Sequence, residues 1–266
     1  AIGAIIELLD SEAAIVFLSI ILIGNNTMAA SESNNSIMAP IASDLTLRLT
    51  EIFCSLQGES SWVGLPTVFV RLTGCPLRCV YCDTSYSFHG GESLPMDEVL
   101  SRIASYDTQH ICVTGGEPLA QKSCIQLLKT LCDKGYKVSL ETSGAMDIAE
   151  VDARVKRIVD LKTPASKEMS KNRYENIALL QRHDEVKFVI CNREDYDWAV
   201  TTIEQYQLHS KVDNVLFSPV FDVEGESTRE QGFTEQSLAD WILEDKLGVR
   251  MQLQLHKLIW GNQPGR

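Results

Sequence analysis

Arg71-Leu-Thr-Gly-Cys75-Pro-Leu-Arg-Cys79-Val-Tyr81-Cys82-Asp83-Thr84 carries three cysteines in the spacing C-x3-C-x2-C. The apolar, β-branched run Thr67–Leu72 just before it reads as a strand, which ends near Gly74 and opens into a loop bearing all three thiols. Three thiolates on one short loop can hold three irons of a cubane cluster and leave the fourth iron without a protein ligand. Zinc is the competing reading. Structural zinc takes four ligands, however, and no second C-x-x-C or nearby Cys/His pair stands in the sequence to complete the set.

Outward from this loop, apolar β-branched runs alternate with helical patterns, the signature of repeated β–α units and a parallel sheet. Leu45, Leu47 and Leu49 begin the series. Strands are predicted at Thr67–Leu72, His110–Thr114, Lys137–Glu141, Arg157–Leu161, Glu185–Ile190 and Asn214–Pro219, and a last one at Met251–Leu255. Helices are predicted at Met96–Tyr106, Pro118–Lys134, Tyr174–Gln181, Glu194–Tyr206 and Thr234–Glu244. About six β–α units are too few to close an eight-stranded barrel, so the expected fold is α/β, a partial, open (β/α)6-type barrel with its chemistry at the C-terminal ends of the strands.

Those strand ends carry further polar residues. Val113-Thr114-Gly115-Gly116-Glu117-Pro118 joins a glycine pair, which lets backbone approach a ligand, to a carboxylate and a proline suited to start a helix. Glu141-Thr-Ser143-Gly144 offers three hydrogen-bonding side chains, and Asp160-Leu161-Lys162 ends the strand after that. Each alone is more often a strand-end turn or cap than a site. Their succession at consecutive strand ends favours one shared ligand site.

The chain has 266 residues, 44% of them hydrophobic, enough for one large domain with a full core. A net charge of −12 argues against a surface that grips nucleic-acid phosphates. Of eight cysteines, the five outside the cluster sit singly in apolar stretches and read as free thiols of a reducing cytoplasm rather than as disulfides. Residues 1–40 differ from the rest. Ala13–Gly24 is apolar but too short to span a bilayer, acidic rather than basic residues precede it, and a Ser/Asn-rich tract follows. Residues 1–40 are therefore expected to be an N-terminal extension to a catalytic domain at 41–266, with an interfacial anchor as the other reading and no membrane span.

The C-x3-C-x-aromatic-C loop with Tyr81 before its last cysteine resembles the radical S-adenosylmethionine (SAM) superfamily. The upstream Glu51-Ile-Phe-Cys-Ser-Leu56-Gln57-Gly58-Glu59, the Val-Arg71 strand end and the late Leu255-His-Lys257 resemble, within it, the 7-carboxy-7-deazaguanine synthases of the queuosine and deazapurine pathway. The likeness runs from about Leu45 to the end; where that family usually shows Q-G-E-G, this chain has Ser60. The resemblance implies a lyase that contracts the ring of 6-carboxy-5,6,7,8-tetrahydropterin to 7-carboxy-7-deazaguanine with loss of ammonia.

It further implies a 4Fe–4S cluster on Cys75, Cys79 and Cys82, and SAM held by Tyr81, Cys82, Asp83, Gly116, Glu117, Glu141, Ser143, Asp160, Leu161 and Lys162. Substrate would meet Leu56, Gln57, Gly58, Glu59, Arg71, Thr114 and Arg266, with Mg²⁺ on Thr84. A flavodoxin-type electron donor and a homodimer are what the family leads one to expect. A protein-activating glycyl-radical activase and a non-catalytic iron–sulfur redox module are the two other readings. The first would not need the Leu56–Glu59 segment, and the second would not need the Gly-Gly-Glu-Pro and Glu-Thr-Ser-Gly strand ends.

Overall fold

The computed structural model describes residues 45–221, 229–261, 263 and 265. The segment 1–40 and Arg266 lie outside the described residues. The framework is a nine-stranded open sheet in which β1 (Thr46–Leu56) and β2 (Pro66–Leu72) form an antiparallel hairpin and β3 (Glu92–Pro95) pairs antiparallel with β1. From β2 onward the sheet is parallel, through β4 (His110–Gly115), β5 (Lys137–Thr142), β6 (Lys156–Asp160), β7 (Glu185–Ile190), β8 (Asn214–Pro219) and the two-residue β9 (Arg250–Met251). The order is β3-β1-β2-β4-β5-β6-β7-β8-β9, with no pairing between the two edges. This is the open, partial barrel expected from the repeat count.

Ile111, Cys112 and Val113 of β4 are all buried, as a central parallel strand covered on both faces requires. Helix α1 (Met96–Ala104) buries Met96, Val99, Leu100 and Ile103, one stripe at helical spacing, and α2 (Ser123–Asp133) buries Cys124, Leu127, Leu128 and Leu131 likewise. Helix α3 (Arg193–Tyr206) starts where the Asn192 side chain accepts from Asp195 N at 2.8 Å. A four-residue α4 (Leu208–Lys211) follows it. Helix α5 (Glu235–Glu244) opens with a Thr234/Ser237 capping box, and α6 (Leu255–Trp260) closes the series. Among the described residues no helix is long and apolar enough to cross a membrane.

The structure departs from the sequence reading at four places. Met251–Leu255 alternates like a strand, but pairing with β8 ends at Met251, and Leu255 N turns away to donate to Gly58 O, so the chain continues as α6. Tyr174–Leu179 is a 3-10 helix rather than an α-helix. Pro118–Lys134 divides into a 3-10 turn at Pro118–Ala120 and α2, because Gln121 is extended and spends its side chain on Arg48 and Thr73 carbonyls. The short edge strand β3 was not expected; Pro95 and Gly91 bracket it too tightly for periodicity to register.

Candidate active site

One cleft opens at the C-terminal ends of the parallel strands. Cys75, Cys79 and Cys82 all line it. Their loop is pinned at both flanks: Gly74 N donates to Ser87 O at 2.8 Å, and Cys82 N to Cys79 O at 3.2 Å. The glycine pair after β4 packs directly against this loop. A Cβ on Gly116 would stand 2.3 Å from Gly74 O and 2.8 Å from Cys75 Cβ, while Gly115, at φ +149°, would drive one into Leu72 O. Glycine at both positions is thus a condition of docking the second strand end on the first. Burial pushes the Cys79 thiol up to about 11, with Lys162 pulling the other way. Thiolate at neutral pH therefore needs a metal to take the proton's place.

The rest of the cleft is lined with ionic side chains from distant segments. Glu59, after β1, accepts from Lys187 Nζ at 2.6 Å and from Gln254 Nε2 at 2.7 Å. Lys187 also lies 3.8 Å from Asp160, which pairs with Lys162 at 2.9 Å. Burial lowers the affinity of Lys187 for its proton, but Glu59, Asp160 and Glu141 outweigh it and hold the ammonium charged well above its ordinary range. Burial likewise works against the Glu59 carboxylate, and Lys187 reverses the sign, keeping it below its ordinary value. Glu141 shows the opposite result: burial and then the nearby Glu59 charge push its carboxyl up. It accepts from Thr114 Oγ1 at 3.3 Å and faces Gln57 Nε2 at 3.5 Å. Near the mouth, Lys257 contacts Asp83 at 2.5 Å, and Thr84 Oγ1 donates to Asp83 at 2.9 Å. Together they more than offset the effect of burial and draw the Asp83 carboxyl down.

The family model of the radical SAM superfamily matches residues 69–231. A 7-carboxy-7-deazaguanine synthase of Koribacter versatilis is 45% identical over 80% of this chain and 97% of its own length, and one of Chlorobaculum tepidum is 41% identical over 83% and 97%. The chain belongs to the radical SAM superfamily, among the 7-carboxy-7-deazaguanine synthases. The crystal structure of QueE from Escherichia coli shares the fold, with a TM-score of 0.61 at 22% identity over 79% of this chain and 95% of that one.

The donor set fits what a radical SAM cluster needs. Three thiols of one loop share a cleft with no further cysteine in its lining, and Asp160 Oδ1, buried there, has no hydrogen-bond donor among the described residues, an acceptor left for a ligand hydroxyl or amine. No three His, Cys, Asp or Glu side chains among the described residues converge on a single ion, a geometry that thiolates binding three different irons do not require. Of the other sequence-nominated residues, Leu56, Gln57, Glu59, Arg71, Tyr81, Asp83, Thr84, Thr114, Gly116, Glu141, Ser143 and Lys162 line the cleft.

Glu117, Gly58 and Leu161 do not line it. The Glu117 carboxylate is fully buried and accepts from Leu119 N (3.0 Å), Thr142 Oγ1 (3.0 Å), Ser143 N (2.7 Å) and Ser143 Oγ (2.5 Å), so it ties β4 to the end of β5. Gly58 is a packing position: a Cβ there would lie 1.9 Å from His256 Nδ1. Leu161 is a core residue. Arg71 spends its Nε on Glu51 at 2.7 Å, which also accepts from Tyr86, and no other guanidinium hydrogen bond is present among the described residues. Lys187, Gln254 and Phe221 are cleft residues that sequence reasoning passed over. Only Lys187 left a signal, a lone cation in the strand Glu-Val-Lys-Phe-Val-Ile.

Proposed function

We propose that this chain converts 6-carboxy-5,6,7,8-tetrahydropterin to 7-carboxy-7-deazaguanine with release of ammonia. The observation that carries the reading is that one cleft joins the three-cysteine loop to the Leu56–Glu59 segment and Arg71. Held on Cys75, Cys79 and Cys82, the cluster would with SAM supply the radical chemistry that hydrogen abstraction from the pterin requires. Asp160, Glu141 and Ser143 offer acceptors and donors at strand ends for the sugar and amino groups of SAM. The Gln57 side-chain amide, whose Nε2 makes only a long 3.5 Å contact with Glu141, supplies a donor to a bicyclic pterin, with Glu59 held anionic beside it. Arg71, anchored through Nε alone, keeps the rest of its guanidinium fork for the substrate carboxylate. The cleft walls Phe53, Phe69 and Phe221 limit water around the reacting carbon.

Three further elements belong to this proposal. Thr84 at the cleft mouth, with Asp83 beside it, suits a Mg²⁺ shell completed by substrate carboxylate and water. Arg266, outside the described residues, is a further substrate contact in this reading. A homodimer receives its electrons from a flavodoxin-type donor. The deciding experiment incubates anaerobically reconstituted protein with dithionite, Mg²⁺, SAM and the carboxypterin. Deazapurine formation without stoichiometric loss of SAM is the expected result. Cleavage of SAM to 5′-deoxyadenosine with no deazapurine overturns the substrate assignment in favour of a protein-activating enzyme.

A further inference from the structure

The N–H groups on either side of Cys79 are both taken by one short segment from a different strand end. Val80 N donates to Ser166 O at 3.2 Å, and Arg78 N donates to Glu168 Oε1 at 2.6 Å, a short, charge-assisted bond. The segment that offers these acceptors is itself fixed after β6. Thr163 Oγ1 donates to Val189 O at 3.0 Å, Ser166 Oγ to Thr163 O at 2.6 Å, Ala165 N to Asp195 Oδ1 at 2.9 Å, and Glu168 N to Ser166 Oγ at 3.0 Å. Between the two acceptors Lys167 sits at φ +65°, the left-handed conformation that reverses the chain and lets the Ser166 carbonyl and the Glu168 side chain reach the same loop. Arg78 reinforces the arrangement, with Nη1 on the Cys75 and Leu77 carbonyls at 2.7 and 2.6 Å.

Two physical consequences follow for a cluster on Cys75, Cys79 and Cys82. Cluster potential depends on hydrogen bonds to sulfur and on nearby charge. An amide committed to a carboxylate is not a donor to sulfur, and the carboxylate adds negative charge beside the cluster; both effects disfavour the added electron. We propose that Glu168 is a positioning residue for the cluster: it clamps the Cys79 turn through the Arg78 amide and keeps the cluster strongly reducing. The proposal rests on the cluster being held by those three cysteines.

The test compares reconstituted wild type, Glu168→Ala and Glu168→Gln, reading iron release from the reduced protein to a ferrous chelator and the reduction midpoint by electron paramagnetic resonance, without substrate. Glu168→Ala is expected to lose iron about tenfold faster, the scale of one hydrogen bond to a charged group, and to be reduced more readily. Glu168→Gln keeps an oxygen for the Arg78 amide and is expected to release iron within about twofold of wild type, since a neutral acceptor preserves most of the clamp. A wild-type release rate in Glu168→Ala overturns the proposal, as does Glu168→Gln releasing iron as fast as Glu168→Ala. If Glu168→Ala takes up no iron, full loading of Glu168→Gln supports the clamp and equal failure of both refutes it. A Cys79→Ala control separates the two levels: a full, stable cluster there would defeat the ligand assignment itself, whatever Glu168 does.

Discussion

The cluster side of the cleft comes from consecutive residues, 71–84, whereas the ionic side takes Glu59 from the turn after β1, Lys187 from β7, and Gln254 and Lys257 from the C-terminal segment. The Glu59–Lys187 bond spans 128 positions in sequence and the Asp83–Lys257 bond 174. The cluster side needs three identical donors on one loop, held in shape by its own backbone bonds, the docked Gly115–Gly116 turn and the Ser166 and Glu168 acceptors. The ionic side needs charges of opposite sign delivered by three separate elements to one place. Damage to the first should therefore remove a ligand outright, and damage to the second should leave an uncompensated charge.

The largest effect is expected from Cys75→Ala, Cys79→Ala or Cys82→Ala. Each removes a thiolate ligand, so the cluster's absorbance and all SAM cleavage should vanish; retained iron with turnover in any one would break the contrast at its root. Lys187→Met comes next. It strands Glu59, nearly buried, while Asp160 keeps Lys162 at 2.9 Å, and the cost of breaking such a pair is about 3 kcal/mol, read as a lower urea midpoint. Glu59→Gln in the same chain should recover part of that loss, and no recovery would mean that Lys187 acts through packing alone. Arg71→Ala should spare cluster and SAM binding while raising the KM for carboxypterin roughly tenfold to a hundredfold, the worth of a hydrogen-bonded charge pair. Loss of the cluster instead would make Arg71 part of the loop's support.

This division also explains what could be read before the fold was seen. Cysteine spacing, the Gly-Gly-Glu-Pro turn and the strand ends are local patterns, and they gave both the parallel sheet and the cleft's cluster side. The reading failed where the outcome is decided by a partner far away. Met251–Leu255 alternates as a strand does, yet Gly58 O captures Leu255 N and the segment turns into a helix. Glu117 reads as a ligand-facing carboxylate, yet Thr142 and Ser143, from the next strand end, saturate it. Gln254 belongs to the cleft only because the C-terminal segment folds back past Gly58, and nothing in its own neighbourhood announces it, whereas Phe221 arrives just beyond the end of β8.

His256 tests that fold-back by pH. Burial lowers its pKa below 6.5, with Glu59 raising and Lys257 lowering it in smaller measure. As pH falls through about 6.5 the unfolded chain takes up a proton that the folded one refuses, so the contribution of His256 is present above that pH and lost below it. The stability advantage of wild type over His256→Gln should accordingly shrink between pH 7.5 and 5.5 in paired thermal melts; a constant difference would place the ring in solvent.

Ser60 gives the smallest and sharpest case. It is buried at φ +63°, in the left-handed region, and its hydroxyl accepts from Trp62 N at 3.1 Å while its own N donates to Gln252 Oε1 at 2.9 Å. A non-glycine residue there costs ~1–2 kcal/mol, glycine would instead lose ~0.5–1 kcal/mol of chain entropy, and the hydroxyl bond is worth ~1 kcal/mol. These terms nearly cancel, so Ser60→Gly should leave stability within about 0.5 kcal/mol of wild type. Ser60→Ala keeps the strained backbone and discards the hydroxyl, so it should lie about 1 kcal/mol below Ser60→Gly, or roughly 2–4 °C in melting temperature. Equal stability of the two variants would mean that the turn bears no strain, and that the glycine usual at this position in the family answers to something other than backbone conformation.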